Sequence, residues 1–175
     1  MSIFPTKILL ATDGSSEARL AARTAVDLAQ KTDSELHVIH VVDAASSVAL
    51  LYPQATTPRR VESVALLYPE AADTEKAEQA AFAWKEDLER HLEQGGREVL
   101  DGEVEQIRSA GGTVARSHLM IGEAAREIVH LAEDLGAGLI VMDSRGHGGI
   151  RRALMGSVSE SVVRHAHCPV TIVRE

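Results

Sequence analysis

Little in this chain serves covalent or aromatic chemistry. Cys168 is the single cysteine, so no internal disulfide can form and the fold rests on its core. Aromatic residues make up only 3% of the sequence, which leaves few platforms on which nucleic-acid bases could stack. Basic side chains are outnumbered, 18 against 26 acidic ones, and the net charge of −8 disfavours binding to a DNA or RNA backbone. No apolar run approaches the ~20 residues of a membrane span, and nothing at the N-terminus joins a basic region to a long apolar core. The expectation is a protein of the reducing cytoplasm with neither nucleic acid nor membrane as a partner.

Catalytic and metal-binding constellations are missing too. No Gly-x-Ser-x-Gly elbow presents a serine. Cys168 precedes Pro169 at the entry to a strand, where a buried structural thiol is expected rather than a nucleophile. Eight histidines are present, yet His165 and His167 have neither a Cys pair nor a His-Glu motif beside them. No catalytic residue and no metal site is assigned.

What the chain does have is aliphatic bulk. It is 175 residues long and 45% apolar, enough for a sizeable core in one domain. Short β-rich apolar runs alternate with helical patterns. The runs cover Lys7 to Thr12, Glu35 to Val42, Gly112 to Leu119, Gly138 to Asp143 and Pro169 to Arg174. Helices are expected from Ser16 to Lys31, Thr74 to about Ser109, Gly122 to Leu135 and Ser157 to His165. This alternation predicts an α/β fold, a single doubly wound domain whose five-stranded, mainly parallel sheet carries helices on both faces.

Two segments stand outside that plan. The long helix carries an apolar stripe of Ala77, Ala81, Trp84, Leu88 and Leu92, and Gly95-Gly96 predicts a kink or a break in it, since each glycine costs about 1 kcal/mol relative to alanine. The stretch from Asp43 to Asp73 holds a near-tandem duplication, Ser47 to Pro53 repeated as Ser63 to Pro69. It reads either as a tolerated surface insertion with its leucines folded on the sheet edge, or as a cover for the ligand crevice or a wider dimer interface.

The most informative feature is a glycine-rich loop. Leu139 to Met142 forms an apolar strand, then come Gly146-His147-Gly148-Gly149 and, further on, Gly156-Ser157-Val158-Ser159 at the start of a helical pattern. Glycines between a buried strand and a helix let backbone N–H groups approach an anion, and the helix adds open donors and the positive end of its dipole. A P-loop is excluded because Ser157, not lysine, follows Gly156. A dinucleotide fingerprint is excluded because the position three after Gly148 is Arg151.

The remaining pattern, with Lys7 to Ser15 at the start, Leu139 to Gly146, Gly156 to Ser159, and His165 to Val170 near the end, resembles the universal stress protein family. That family's signature is Gly, two residues, Gly, nine residues, Gly, then Ser or Thr. This chain departs from it at the first glycine, which is Asp143, and Gly138 stands where members often carry Asp.

The resemblance implies a fold similar to adenine nucleotide alpha hydrolases. It also implies a cytoplasmic stress-response protein that binds ATP or another adenine nucleotide with Mg²⁺ and acts by ligand-dependent association, any hydrolysis being slow and incidental. The binding set it implies is Thr12, Asp13, Val41, Gly122, Asp143, Arg145, Gly146, Gly156, Ser157, Val158 and Ser159. Asp13 would meet the ribose, the Val41 backbone the adenine edge, and Gly156 to Ser159 the phosphates, with His147 a further polar contact. Residues 169–174 would pair with their copy in a homodimer.

Each assignment has a plainer counterpart. Asp13 can instead steady the Gly14-Ser15-Ser16 turn or cap the first helix. Ser157 to Glu160 matches a capping box, a role that does not bar phosphate contact. Arg145, Arg151 and Arg152 form either a solvated surface or partners for phosphate and Asp143. A carboxylate about 4 Å from a phosphate is repelled by about 4 kcal/mol per unit charge at an effective dielectric near 20. Asp143 must therefore point away, bind a bridging cation or pair with an arginine. The alternative function is a dimeric interaction module that binds no nucleotide, and a third is a metal-assisted nucleotide hydrolase using Asp13 and Asp143.

Overall fold

The computed structural model describes residues 3–16, 18–43, 74–144 and 155–174. The duplicated segment lies outside them but for Asp43, as do Arg145, Gly146, His147, Arg151 and Arg152. In chain order the elements are β1 (Lys7–Thr12), α1 (Ala18–Thr32), β2 (Glu35–Val42), α2 (Thr74–Ser109), β3 (Arg116–Ile121), α3 (Ala124–Leu135), β4 (Leu139–Asp143), α4 (Ser157–His165) and β5 (Val170–Val173).

The five strands form one sheet in the order β3-β2-β1-β4-β5, and every neighbouring pair is parallel. The chain winds outward from β1 through β2 to β3, then crosses back to β4 beside β1. That reversal makes the carboxyl ends of β1 and β4 the topological switch point, where open α/β sheets hold ligands.

Alternation along each strand divides the interior in two. Ile8 and Leu10, Leu36 and Val38, and Leu139 and Val141 face α1 and α2, where Ala21, Ala25, Leu100, Val104 and Ile107 cover them. Leu9 and Ala11, Ile39, and Ile140 and Met142 face the other way, against Ile128, Val129 and Ala132 of α3 and Val162 of α4. Burial on both sides is why these strands read as continuous apolar runs. Each fully buried leucine or isoleucine contributes roughly 1.5–3 kcal/mol.

The long helix departs from its expected kink: α2 runs unbroken through Gly95 and Gly96. A Cβ on Gly96 would collide with Val42 and Leu119, so this glycine lets the helix approach the sheet closely, while Gly95 faces open space. The apolar face of Leu92, Leu100, Val104 and Ile107 offsets the propensity cost of the glycine pair. The side chains of Ala77, Ala81 and Trp84 lie outside the described residues.

The third strand starts later than its apolar pattern suggests. Gly111 and Gly112 close the end of α2 through N–H bonds to the carbonyls of Arg108 and Ile107, both 2.9 Å, so Gly112 belongs to a turn. Pairing with β2 opens only when the Ala115 N–H reaches the Leu36 carbonyl at 2.8 Å. No helix among the described residues is long and apolar enough to cross a membrane.

Candidate functional site

The register lines up the expected residues on one edge of the sheet. Thr12 is level with His40, Ala11 with Met142, Val41 with Met120, and Asp143 with Val173. Thr12 and Asp13 therefore end β1, Val41 lies near the end of β2, Gly122 follows β3, and Asp143 ends β4. The Gly122 N–H is held by the Val42 carbonyl at 3.0 Å, and a Cβ there would press on the Glu127 side chain.

The turn after β1 satisfies its own polar groups. Asp13 Oδ1 accepts the Ser15 N–H at 2.9 Å, and Ser15 Oγ accepts the Ala18 N–H at 3.2 Å, so Ser15 caps α1. Gly14 takes φ +78°, and a Cβ on it would collide with Val99 of α2. The turn-steadying role of Asp13 is thus present in the structure.

The loop after β4 is arranged differently. The Ser144 carbonyl accepts the Gly156 N–H at 2.8 Å and the Ser159 hydroxyl at 3.1 Å, which ties the start of α4 to the end of β4. Gly156 occupies the cap position and no side chain caps the helix. The expected capping box is not formed, because Ser157 is already the first helical residue and a capping box needs its serine one position earlier. Glu160 instead pairs with Arg164 at 2.8 Å.

Ser159 points inward, its hydroxyl also 2.9 Å from the Gly156 carbonyl, so what it offers the crevice is its backbone N–H. The first turn of α4 thus presents the N–H groups of Ser157, Val158 and Ser159 with no acceptor among the described residues.

Asp143 is buried and lies on the strand face of Leu139 and Val141, toward α1 and α2. Helix α4 packs on the opposite face through Val162. The pleat therefore turns the carboxylate at the family's first-glycine position away from the side that carries the open helix terminus. Cys168 is half-buried against the second core, and burial pushes its thiol above the ordinary value, with backbone bonds from Cys168 and Ile140 opposing.

Two residues at this edge escape sequence reasoning. His40 donates its Nδ1–H to the Thr12 carbonyl at 2.9 Å. Glu103 of α2 is buried and accepts the Thr12 hydroxyl at 3.4 Å. The legible signal for Glu103 was an acid on the stripe of Leu92, Gly96, Leu100 and Ile107; the strand run held the one for His40, a polar residue among valines and isoleucine.

Comparison with known proteins agrees with this architecture. The model of the universal stress protein family matches residues 5–174. Universal stress protein MJ0531 of Methanocaldococcus jannaschii is 32% identical over 169 residues, covering 97% of this chain and 82% of its own. Among solved structures, that of the hypothetical protein MJ0577 superposes with a TM-score of 0.70 at 22% identity, covering 98% of this chain and 97% of that one.

A universal stress protein in complex with cAMP aligns at a TM-score of 0.58 and 20% identity over 99% of both chains. Another, from Archaeoglobus fulgidus in complex with dAMP, gives 0.55 at 19% identity over 99% of this chain and 100% of that one. At these identities the structural likeness speaks to the fold.

Proposed function

The chain belongs to the universal stress protein family, and from that premise we propose that it binds an adenine nucleotide, ATP with Mg²⁺ foremost, at the carboxyl edge between β1 and β4. The observation that carries this reading is the uncapped first turn of α4. Its open N–H groups and the positive end of its dipole suit a phosphate, and Ser144 fixes them in place. The solved structures of universal stress proteins in complex with cAMP and with dAMP support an adenine nucleotide as the class of ligand.

The protein acts as a ligand-dependent regulatory module of the cytoplasm and not as an enzyme, any hydrolysis being slow and incidental. Association is expected through β5. Both outer strands are sheet edges, but Arg116 and Ser117 expose polar groups along β3, whereas Val170 to Val173 present a short, mostly apolar edge suited to a second copy.

Asp143 in the place of a glycine favours a second reading, a dimeric module without nucleotide. Isothermal titration of ATP with Mg²⁺ into the native protein and into Asp143→Gly separates the two. Micromolar binding by both is expected. Binding by the variant alone would hand the function to the interaction module.

A further inference from the structure

Among the described residues Glu103 is the one buried acid on the inner face of α2, 4% exposed beside Leu100, Val104 and Ile107, and the nucleotide reading gives it no task. Its Oε2 lies 3.4 Å from the Thr12 hydroxyl, whose oxygen also accepts the Gly14 N–H at 3.2 Å. The carbonyl of the same Thr12 takes the Nδ1–H of His40. Thr12 is thus gripped from α2, from β2 and from its own turn, one residue before Asp13.

Resting on the nucleotide reading, we propose that Glu103 is a positioning residue that couples nucleotide binding to the uptake of one proton, by deciding where the Thr12 hydroxyl hydrogen points. When Glu103 is ionised it is an acceptor only, so it consumes the Thr12 O–H and adds a negative charge beside Asp13. When it is protonated, its own O–H donates to Thr12 Oγ1. The second lone pair of that oxygen still holds the Gly14 N–H, and the Thr12 hydrogen is released toward acceptors at the edge of β1. The proton comes from water through the groove of about 550 Å³ between α1 and α2, which Glu103 lines with Arg19, Arg23 and Gln106.

The charges around this carboxyl are Arg19, Arg23 and Asp27 on α1, Asp13 after β1 and Glu105 on its own helix, with Asp143 of β4 on the same sheet face and His40 on β2 reaching Thr12 from the far side. Burial pushes Glu103 above its ordinary value, the Thr12 bond and Arg19 oppose, and Asp13 adds to the rise. An anionic nucleotide brings further negative charge and raises it again. The value in the complex then exceeds that in the free protein. Affinity is highest below the free value and declines as pH rises through the bound one.

The test is calorimetric titration of ATP with Mg²⁺ into the full chain, native and Glu103→Gln, between pH 5.5 and 7.5 in buffers of different ionisation enthalpy. The nucleotide's own protonation is common to both proteins and cancels. Native protein should take up protons in excess of the variant and tighten by about threefold or more toward low pH. Glutamine mimics the protonated acid, so at pH 7.5 the variant should bind more tightly than native protein, and the gap should close as the pH falls.

Equal proton uptake by the two would overturn the coupling and leave nucleotide binding intact. No heat with either would overturn the binding reading and the coupling with it. A ligand-free check follows the Gly14 amide by NMR: its shift should titrate with a midpoint above 4.5 in native protein. A shift that ignores pH there would also overturn the proposal.

Discussion

The two helix starts that flank the switch point have opposite economies of hydrogen bonds. At α1, side chains answer the backbone, with Asp13 holding Ser15 and Ser15 holding Ala18. At α4, the cap is a glycine and, among the described residues, the only side chain in play, Ser159, reaches back to carbonyls instead of forward to N–H groups. A self-satisfied terminus gives a rigid wall, whereas an unsatisfied one held rigidly from behind is poised for an anion. One edge of one sheet therefore carries both, and the difference lies in a few side chains.

Substitutions can break this contrast. The largest effect is expected at Gly14, where alanine meets both a positive φ and the Val99 side chain. Gly14→Ala should cost about 2–3 kcal/mol in urea unfolding. A midpoint equal to native would show that α2 yields easily over this turn.

Next comes Gly156→Asp, which gives α4 a side-chain cap as α1 has, at φ −77° and ψ 159°, extended backbone angles open to any residue. Stability should hold or rise by a few tenths of a kcal/mol, while nucleotide affinity drops at least about tenfold through lost donors and added charge. Unchanged affinity would place the phosphates elsewhere.

Smallest is a paired comparison of serines. Ser15→Ala should cost about 1 kcal/mol, and Ser157→Ala should stay within about 0.5 kcal/mol of native. Equal costs would mean the capping box forms in solution after all.

Much of the fold was legible from periodicity. β1, β2, α2 and α4 begin and end where their apolar patterns do, because both faces of the inner strands are covered and a buried run leaves a clear trace. β3 was misplaced because two glycines that look like the approach to a strand serve instead to close the preceding helix. The Gly95-Gly96 pair misled in the other direction. Helix propensity is a local quantity, and the contact of Gly96 with Val42 and Leu119 is not.

The site divides along the same line. Sequence by itself determined which strand ends carry polar residues, that a glycine-rich loop precedes α4, and that the chain resembles one family. Those properties follow from residue order and period. Only the tertiary structure decided that Ser157 is a helical residue and not a cap, that Asp143 faces α1 and α2, and that Glu103, 91 residues distant in sequence, meets Thr12. The direction a side chain takes at the end of a strand depends on pleat and register, and the partner it finds depends on which helix lies over it. Neither is a property of any short stretch of chain.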